Sequence, residues 1–445
     1  MKRSFVVSMG LAVIGVMACQ IATAQDKSDS LKFYGIFDLG YGSQTNGLAA
    51  SPSFAASIDP FDVQRTANPN TGTHSGFFNG PLSDPRLGLT GRKVLGSDWL
   101  IGFNVESGFD VTSAQFNNHA KALDANAGTY ASTAAANSSL DGQLFNRSAY
   151  VSLVYANAGE LRVGRNNSFA LDAFAAFDPV QNAQAFSLFG FSGGYGGGMG
   201  ASDNARQDNS LKYQNKKAGF DYGVMYEAGN GTGVLQQGHG AGLMAGWSAD
   251  SFKIRTVYQT ATDAIVTGLN TAAGATSGIR ASTYNTSGYL VALDWAASPT
   301  WKFKTGIERF TLSAPTDTVA APSSLYGYTV TNFATPAYAG TDQNRSITWV
   351  GASYAFSDQI KLYSGLYNVK LASYLTNASA MTGAKDAVTN NYTSLLLDYN
   401  LTLDKDVYMG LLRASFGGTT GDSSSINAGG YSSSRTMAAG FRYKF

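Results

Sequence analysis

A chain of 445 residues with Lys+Arg 31 against Asp+Glu 30 has almost no net charge, which excludes the basic footprint of a nucleic-acid-binding protein. Gly 51, Tyr 24 and Phe 26 beside Pro 10 and Cys 1 exclude a disulfide framework and suit an all-β chain. Beyond the N-terminal region no stretch stays apolar for about eighteen residues, so a transmembrane helix is excluded too.

The chain opens Met1-Lys2-Arg3, continues with an apolar run over residues 5–18 and reaches Ala22-Thr23-Ala24. This is the three-part pattern of a secretory signal, with cleavage expected after Ala24, so residues 1–24 are assigned as signal peptide and 25–445 as one body. A lipoprotein signal is the alternative, with Val16-Met17-Ala18 before Cys19, although Met17 fits that pattern poorly. Cleavage after Ala24 removes Cys19 and leaves an exported chain without a disulfide.

Period-two alternation then recurs along the chain. In residues 31–41, Leu31, Phe33, Phe37 and Leu39 share a face. A long polar loop is expected over 42–85, followed by Arg86-Leu87-Gly88-Leu89-Thr90-Gly91-Arg92. Trp99, Ile101, Phe103 and Val105 oppose Asn104 and Glu106. A second long loop, 110–144, precedes a strand over 147–155. Strands over 160–166 and 206–213 enclose a connection of about 40 residues, far above ordinary loop length. Phe220, Tyr222, Val224 and Tyr226 face away from Asp221 and Glu227; Phe252, Ile254 and Tyr258 from Lys253 and Arg255; Trp301, Phe303 and Ile307 from Lys302, Lys304 and Glu308. Tyr289, Val291, Leu293 and Trp295 oppose Asp294. Further candidates cover 346–354, 359–370, 392–401, 406–416 and 435–445.

Short turns and long loops alternate, and the segments amount to about 16 strands of about 9–11 residues, an even number as in a bacterial transmembrane barrel. A soluble secreted β protein would bury its apolar faces against each other. A barrel of this size cannot fill its interior with side chains, so the charged face meets water and the apolar face meets lipid. Charges on the lipid face would cost about 2–4 kcal/mol each at the bilayer midplane. The long connection, residues 166–205, carries Phe169, Phe174, Phe177, Phe186, Phe189 and Phe191 with Asp172 and Asp178. Such a segment must pack on something, and the inside of the ring is the natural place.

Several stretches resemble the general diffusion porins of Gram-negative bacteria, in particular the trimeric porins of beta-proteobacteria. They are Leu31-Lys32-Phe33-Tyr34-Gly35, Asp84-Pro85-Arg86-Leu87-Gly88-Leu89-Thr90-Gly91, Val105-Glu106-Ser107-Gly108-Phe109, Asn146-Arg147-Ser148-Ala149-Tyr150-Val151, Val163-Gly164-Arg165-Asn166, Asp208-Asn209-Ser210-Leu211-Lys212-Tyr213 and Gly440-Phe441-Arg442-Tyr443-Lys444-Phe445. The resemblance implies a 16-stranded antiparallel transmembrane β-barrel, three per assembly, with the third external loop folded inward. It places wall arginines, here Arg86, Arg147 and Arg206, opposite loop acids, here Asp172 and Asp178. The Pro-Glu-Phe-Gly-Gly loop motif of enterobacterial porins is absent, so the acids are less firmly placed than the arginines.

Simple alternation in the 147–155 strand points Ser148, Tyr150 and Ser152 inward and Arg147 outward; an inward Arg147 requires the loop to cover that wall or a β-bulge. Glu106, Arg162, Lys253, Arg255, Lys302 and Lys304 are expected to line the pore. Phe441, Tyr443 and Phe445 suit an outer aromatic girdle, and by resemblance they also form the signal read by the outer-membrane assembly machinery. The implied partners are outer-membrane lipid and lipopolysaccharide, that machinery, two further copies of the chain and small hydrophilic solutes, with no cofactor. Three wall arginines against two loop acids suggest a mild anion preference.

Other functions find weaker support. Gly190-Phe191-Ser192-Gly193-Gly194 matches a nucleophile elbow but lacks the strand before and helix after that the elbow needs. His74, His119 and His239 lie in or beside polar segments with no metal-ligand spacing. A substrate-specific channel for sugars or organic acids would need aromatics along the lumen. Tyr34, Tyr150, Tyr363 and Tyr367 are candidates, but alternation leaves open which side they face.

Overall fold

The structure is a computed structural model that describes residues 29–45, 73–112, 114, 144–189, 196–200, 203–229, 238–269, 279–316, 324–325, 328–334, 340–377, 382–385, 387–418 and 433–445. The expected signal peptide, the Gly190–Gly194 motif, Phe191 and His119 lie outside these residues. The body is a closed antiparallel barrel of 16 strands. They are β1 (Ser30–Thr45), β2 in two pieces (Thr73–Asn79 and Arg86–Val94), β3 (Trp99–Gly108), β4 (Ser148–Tyr155), β5 (Gly159–Asn167), β6 (Arg206–Lys217), β7 (Phe220–Glu227) and β8 (Gly240–Ser248), followed by β9 (Phe252–Leu269), β10 (Ile279–Ala296), β11 (Trp301–Ser313), β12 (Gln343–Ala355), β13 (Ile360–Leu371), β14 (Val388–Asn400), β15 (Lys405–Gly418) and β16 (Ser433–Lys444). Closure comes from β1 pairing with β16, from Ile36↔Lys444 to Thr45↔Arg435. The last residue completes the seam: the Phe445 N–H donates to the Gly35 carbonyl at 3.1 Å and the Gly35 N–H to the Phe445 carbonyl at 3.0 Å.

The strands form because their two faces have different solvents. Leu31, Phe33, Tyr41, Val151, Val163, Phe220, Val350, Leu366 and Met409 are exposed on the outer face, where lipid replaces water and every backbone group must be paired within the sheet. All short turns lie at one end, at 95–98, 156–158, 218–219, 249–251, 297–300, 356–359 and 401–404. The turn between β6 and β7 is Ala218-Gly219, with φ of 51° and 86°. Two consecutive positive φ values are what a tight hairpin needs to match strand twist, and Gly219 adopts its value without strain.

Three features differ from the sequence expectation. First, the expected loop over 42–85 contains a strand: Thr73–Asn79 pairs with the second half of β1. Residues 80–85 then leave the sheet and return at Arg86, so one barrel strand is split by a short excursion. Pro81, Leu82 and Ser83 are all buried there, and Asp38 on β1 accepts the N–H groups of Leu82 and Ser83 and the hydroxyl of Tyr408. Second, β8 has no period-two charge pattern to mark it in the sequence. Its stretch Gly240-Ala241-Gly242-Leu243-Met244-Ala245-Gly246-Trp247-Ser248 has no charge to mark the inner face, yet Leu243 and Trp247 are exposed while Met244 is buried. Third, β9 and β10 are 18 residues each, longer than the expected 9–11.

The connection from β5 to β6 holds the hydrophobic core. It includes a helix, α1 (Phe169–Phe177), where the sequence pattern shows only a loop. Ser168 caps α1 by accepting the Leu171 N–H at 3.0 Å. Phe169, Phe174, Phe177, Phe186, Leu188 and Phe189 are buried with Met244, Leu290, Phe310, Trp349, Tyr367 and Tyr408, which stand on the non-lipid faces of β8 to β15. Each buried large side chain contributes about 1.5–3 kcal/mol relative to exposure. Gly410 on β15 makes room for this segment: a Cβ there would lie 2.7 Å from the Phe186 ring.

Candidate functional site

Two sets of side chains face the space inside the barrel. The first is ionic and stands on β2 to β6. Arg147 precedes β4, and its N–H donates to the Glu106 carbonyl at 3.1 Å. Its Nε donates to Glu106 Oε1 at 2.6 Å and its Nη1 pairs with Asp84 of the excursion. Arg86 Nη1 lies 4.0 Å from the same Glu106 carboxylate, and the Tyr34 hydroxyl is 3.0 Å from Glu106 Oε2. Arg206, the first residue of β6, is 8% exposed, and its charge interacts with those of Arg147, Arg165, Asp84 and Glu106. Arg165 in turn donates to Asp208 Oδ1 at 2.7 Å and to the Arg206 carbonyl at 3.3 Å. The expected arginines are therefore together. Arg147 reaches this group through a bulge-like irregularity: its N–H bonds to the carbonyl of Glu106, the residue in register with Ser148, so two residues here face one on β3.

The second set belongs to the β5–β6 connection and the wall it touches. Asp172 is within 2.5 Å of Lys212 Nζ on β6 and accepts from Asn167 Nδ2 at 3.2 Å. It is paired on its own side rather than facing the arginines across open water. Asp178 departs further from expectation. It is fully buried and its Oδ1 accepts the Tyr367 hydroxyl at 2.6 Å and the Ser187 hydroxyl at 3.0 Å, while Oδ2 accepts the Asn182 N–H at 2.5 Å. Burial pushes its carboxyl above the usual carboxylate range, against the downward pull of these hydrogen bonds and of Lys304. A buried, fully engaged carboxylate is a fastening, not a charge presented to passing ions.

The remaining pore-lining candidates divide similarly. Arg162 donates to Glu160 at 2.8 Å and lies 4.7 Å over the Tyr150 ring. Arg255 pairs with Asp221. Lys304 donates to the carbonyls of Ala176 at 2.7 Å and Asp178 at 3.1 Å, and Trp349 Nε1 to that of Phe177 at 3.1 Å. These two wall residues thus cap the C-terminal carbonyls of α1, groups that no intrahelical donor reaches. Lys253 and Lys302 are exposed. Of the aromatic candidates, Tyr363 and Tyr367 are buried, so they offer no sliding surface. His239 Nδ1 lies 3.2 Å from the Tyr226 hydroxyl, and the His74 side chain is outside the described residues. The sequence reading missed Trp349, Tyr367 and Gly410 as loop contacts; no local pattern marks them, because their role depends on a segment more than a hundred residues away.

Phe441 and Phe445 are exposed on the outer face. The Phe445 ring lies 5.7 Å from both Phe33 and Phe37 and 5.6 Å from Tyr443, joining β1 to β16 from outside.

An outer-membrane porin protein of Bordetella pertussis is 29% identical over 208 residues, covering 46% of this chain and 44% of that protein. Among solved structures, the anion-selective porin from Comamonas acidovorans superposes with a TM-score of 0.62 at 15% identity, over 94% of this chain and 100% of the other. The trimer form of the outer-membrane protein OmpT of Vibrio cholerae gives a TM-score of 0.57 at 14% identity, over 94% and 100%. At such identities the structures are alike in fold. A profile of the Gram-negative porin family matches residues 10–419, and the chain belongs to that family.

Proposed function

We propose that the barrel is a water-filled channel for passive diffusion of ions and small hydrophilic solutes across the outer membrane, narrowed by the connection over residues 166–205. One observation carries this reading. The connection leaves the wall at β5 and returns at β6, yet it is bonded to strands far around the ring. Lys304 on β11, Trp349 on β12 and Tyr367 on β13 all donate to it, and on β14 the Ser394 hydroxyl donates to the Phe186 carbonyl. A segment with both sets of contacts has to cross the interior and leave its water-filled remainder beside the arginines. The arginines Arg86, Arg147 and Arg206 then flank the narrow part, and Asp172 is the loop acid beside it. The tight-turn end faces the periplasm, as in bacterial barrels of this kind. No step of this function calls for catalysis or a cofactor.

The assembly is read as a homotrimer packed through apolar outer walls, with Phe441, Tyr443 and Phe445 as both girdle and assembly signal. Purified protein in a planar bilayer should give stepwise conductance, and steps in groups of three before heating. Its gel mobility should change sharply on boiling. Discrete block by one sugar or organic acid would point instead to a specific channel. Turnover of ester or peptide substrates without conductance would overturn the reading. Phe445→Ala should leave export intact and lower outer-membrane insertion; normal insertion under strong expression would remove the signal role and leave the girdle.

A further inference from the structure

The inner face changes character towards the tight turns. Beneath the loop it is buried, whereas near the turns it carries lysines in contact with water: Lys32, Lys216, Lys253 and Lys302 are exposed and Lys361 is half-buried. Their direction follows from their neighbours. Lys32 lies between Leu31, 68% exposed, and Phe33, 62%; Lys302 lies between Trp301, 43%, and Phe303, 36%. Phe252 and Ile254 flank Lys253, and Ile360 and Leu362 flank Lys361. With apolar residues turned to lipid, these lysines turn inward, and Lys216 does so as the register partner of Asp221, which lies between the exposed Phe220 and Tyr222. Among the described residues none of these five forms an ion pair within 4.0 Å.

The nearby carboxylates do not balance them. Glu160 is held by Arg162, Asp221 by Arg255 and Asp406 by Arg442 at 2.9 Å. Among the described residues Asp294, in register between Lys253 and Lys304, and Asp398, across from Lys361, remain outside ion pairs, two acids against the five lysines. We infer that Lys32, Lys216, Lys253, Lys302 and Lys361 form a positively charged vestibule at the tight-turn end, which concentrates small anions ahead of the narrow part and favours divalent over monovalent ones. The inference rests on the channel reading but not on the roles given to Arg86, Arg147 and Arg206.

The physical argument is one of spacing. Lys253 on β9 and Lys302 on β11 are two strands and two residues apart, about 12 Å, near the Debye length of about 8–10 Å at 0.1–0.15 M salt. Their fields therefore overlap, and low-dielectric walls focus them into the lumen. No pair converges tightly enough to chelate a solute, so the vestibule enriches anions without retaining them. A divalent anion feels twice the electrostatic energy of a monovalent one, so its enrichment is the square of the monovalent value.

The test is the reversal potential of the intact protein in a planar bilayer under potassium chloride and, separately, potassium sulfate gradients. In K216Q/K253Q/K302Q/K361Q the anion-over-cation permeability ratio should fall about threefold for chloride near 0.01 M, where the Debye length is about 30 Å, and more steeply for sulfate. The difference should vanish near 1 M, where that length is about 3 Å. The quadruple Lys→Arg variant should keep the wild-type ratio, which separates charge from shape. Wild-type ratios in the Lys→Gln variant at low salt, with normal trimers and conductance steps, would overturn the vestibule. Absence of conductance steps in the wild-type protein would overturn the channel reading, and the vestibule with it.

Discussion

On β2 to β6, Arg86 and Arg147 converge on Glu106, and Asp84 pairs with Arg147. On β11 to β15, Trp349, Tyr367 and Tyr408 meet Phe174, Phe189 and Phe186 of the loop, with ring centroids at 5.3, 5.4 and 6.2 Å. Both regions lie on the inner face of one barrel, and both have little exposed surface. They differ in what a substitution would disturb. The ionic wall can lose a charge and keep its backbone, because Arg86, Glu106 and Arg206 hang from paired strands. The apolar wall holds a connection that has no sheet of its own, so its packing fixes where that connection lies. In the proposed channel, ion selectivity is assigned to the ionic wall and pore geometry to the apolar wall.

The sharpest way to break this division is on the apolar side. Phe174 is fully buried, with its ring 4.1 Å from Phe189 and 5.3 Å from Trp349. Phe174→Ala should weaken the seating of the loop by about 3–5 kcal/mol, the usual cost of deleting a buried aromatic ring. Single-channel records should show a larger conductance with frequent fluctuations, while the reversal potential stays near the wild-type value. A quiet record with a shifted reversal potential would place selectivity, not geometry, on this wall.

A second substitution sharpens the boundary, because Asp178 is a charged residue in the apolar region. Asp178→Asn keeps the shape and removes a buried charge-assisted acceptor of the Tyr367 hydroxyl, at a cost of about 1–3 kcal/mol. Current noise should rise while the reversal potential is unchanged. Tyr367→Phe should do the same, and the double variant should add little, since contacting residues couple by about 0.5–3 kcal/mol. Additive noise in the double variant, or a shift toward anions in Asp178→Asn alone, would return Asp178 to the ionic set.

The limits of the sequence reading follow the same division. Strands with charges on one face, such as β3, β9 and β11, are legible, because lipid on one side and water on the other impose a period of two. The stretch forming β8 is not, since glycine and alanine stand where charges would mark the inner face. The arginine group was legible through matching motifs near strand ends. Asp178 and Asp172 were legible as loop acids but not as partners of Tyr367 and Lys212, because that depends on how α1 lies against distant strands. The same holds for the excursion at 80–85. Its packing on Asp38 and Tyr408 joins residues 370 positions apart, a contact that no local pattern encodes.

On the ionic side the expected effects are smaller in energy and visible in selectivity. Arg206→Ser removes one positive charge from the group with Arg147 and Arg165. A change of about one kT in local potential alters a permeability ratio about two- to threefold, so the reversal potential should move toward cations by that amount at low salt. Conductance should rise modestly, and the noise should stay at the wild-type level. A noisy Arg206→Ser channel would mean that the ionic wall also holds the loop, and the division between the walls would fail.

The smallest effect is expected at Asp172, which belongs to the loop but pairs with a wall cation. Lys212 Nζ lies 2.5 Å from Asp172, 2.8 Å from the Asn167 carbonyl and 4.6 Å from the Phe169 ring centroid. The ammonium therefore keeps two favourable contacts when the carboxylate is neutralised. Asp172→Asn should leave Lys212 in place and expose its charge, shifting the reversal potential toward anions, in the direction opposite to Arg206→Ser. The shift should be smaller, because Lys212 is buried and acts on passing ions from behind the loop surface. Salt dependence provides the check: an effect of this unpaired charge should shrink between about 0.1 M and 1 M salt as the Debye length falls from about 10 Å to about 3 Å. A shift that persists at high salt would instead mean that the loop has moved, and that Asp172 positions α1 as Asp178 positions the turn after it.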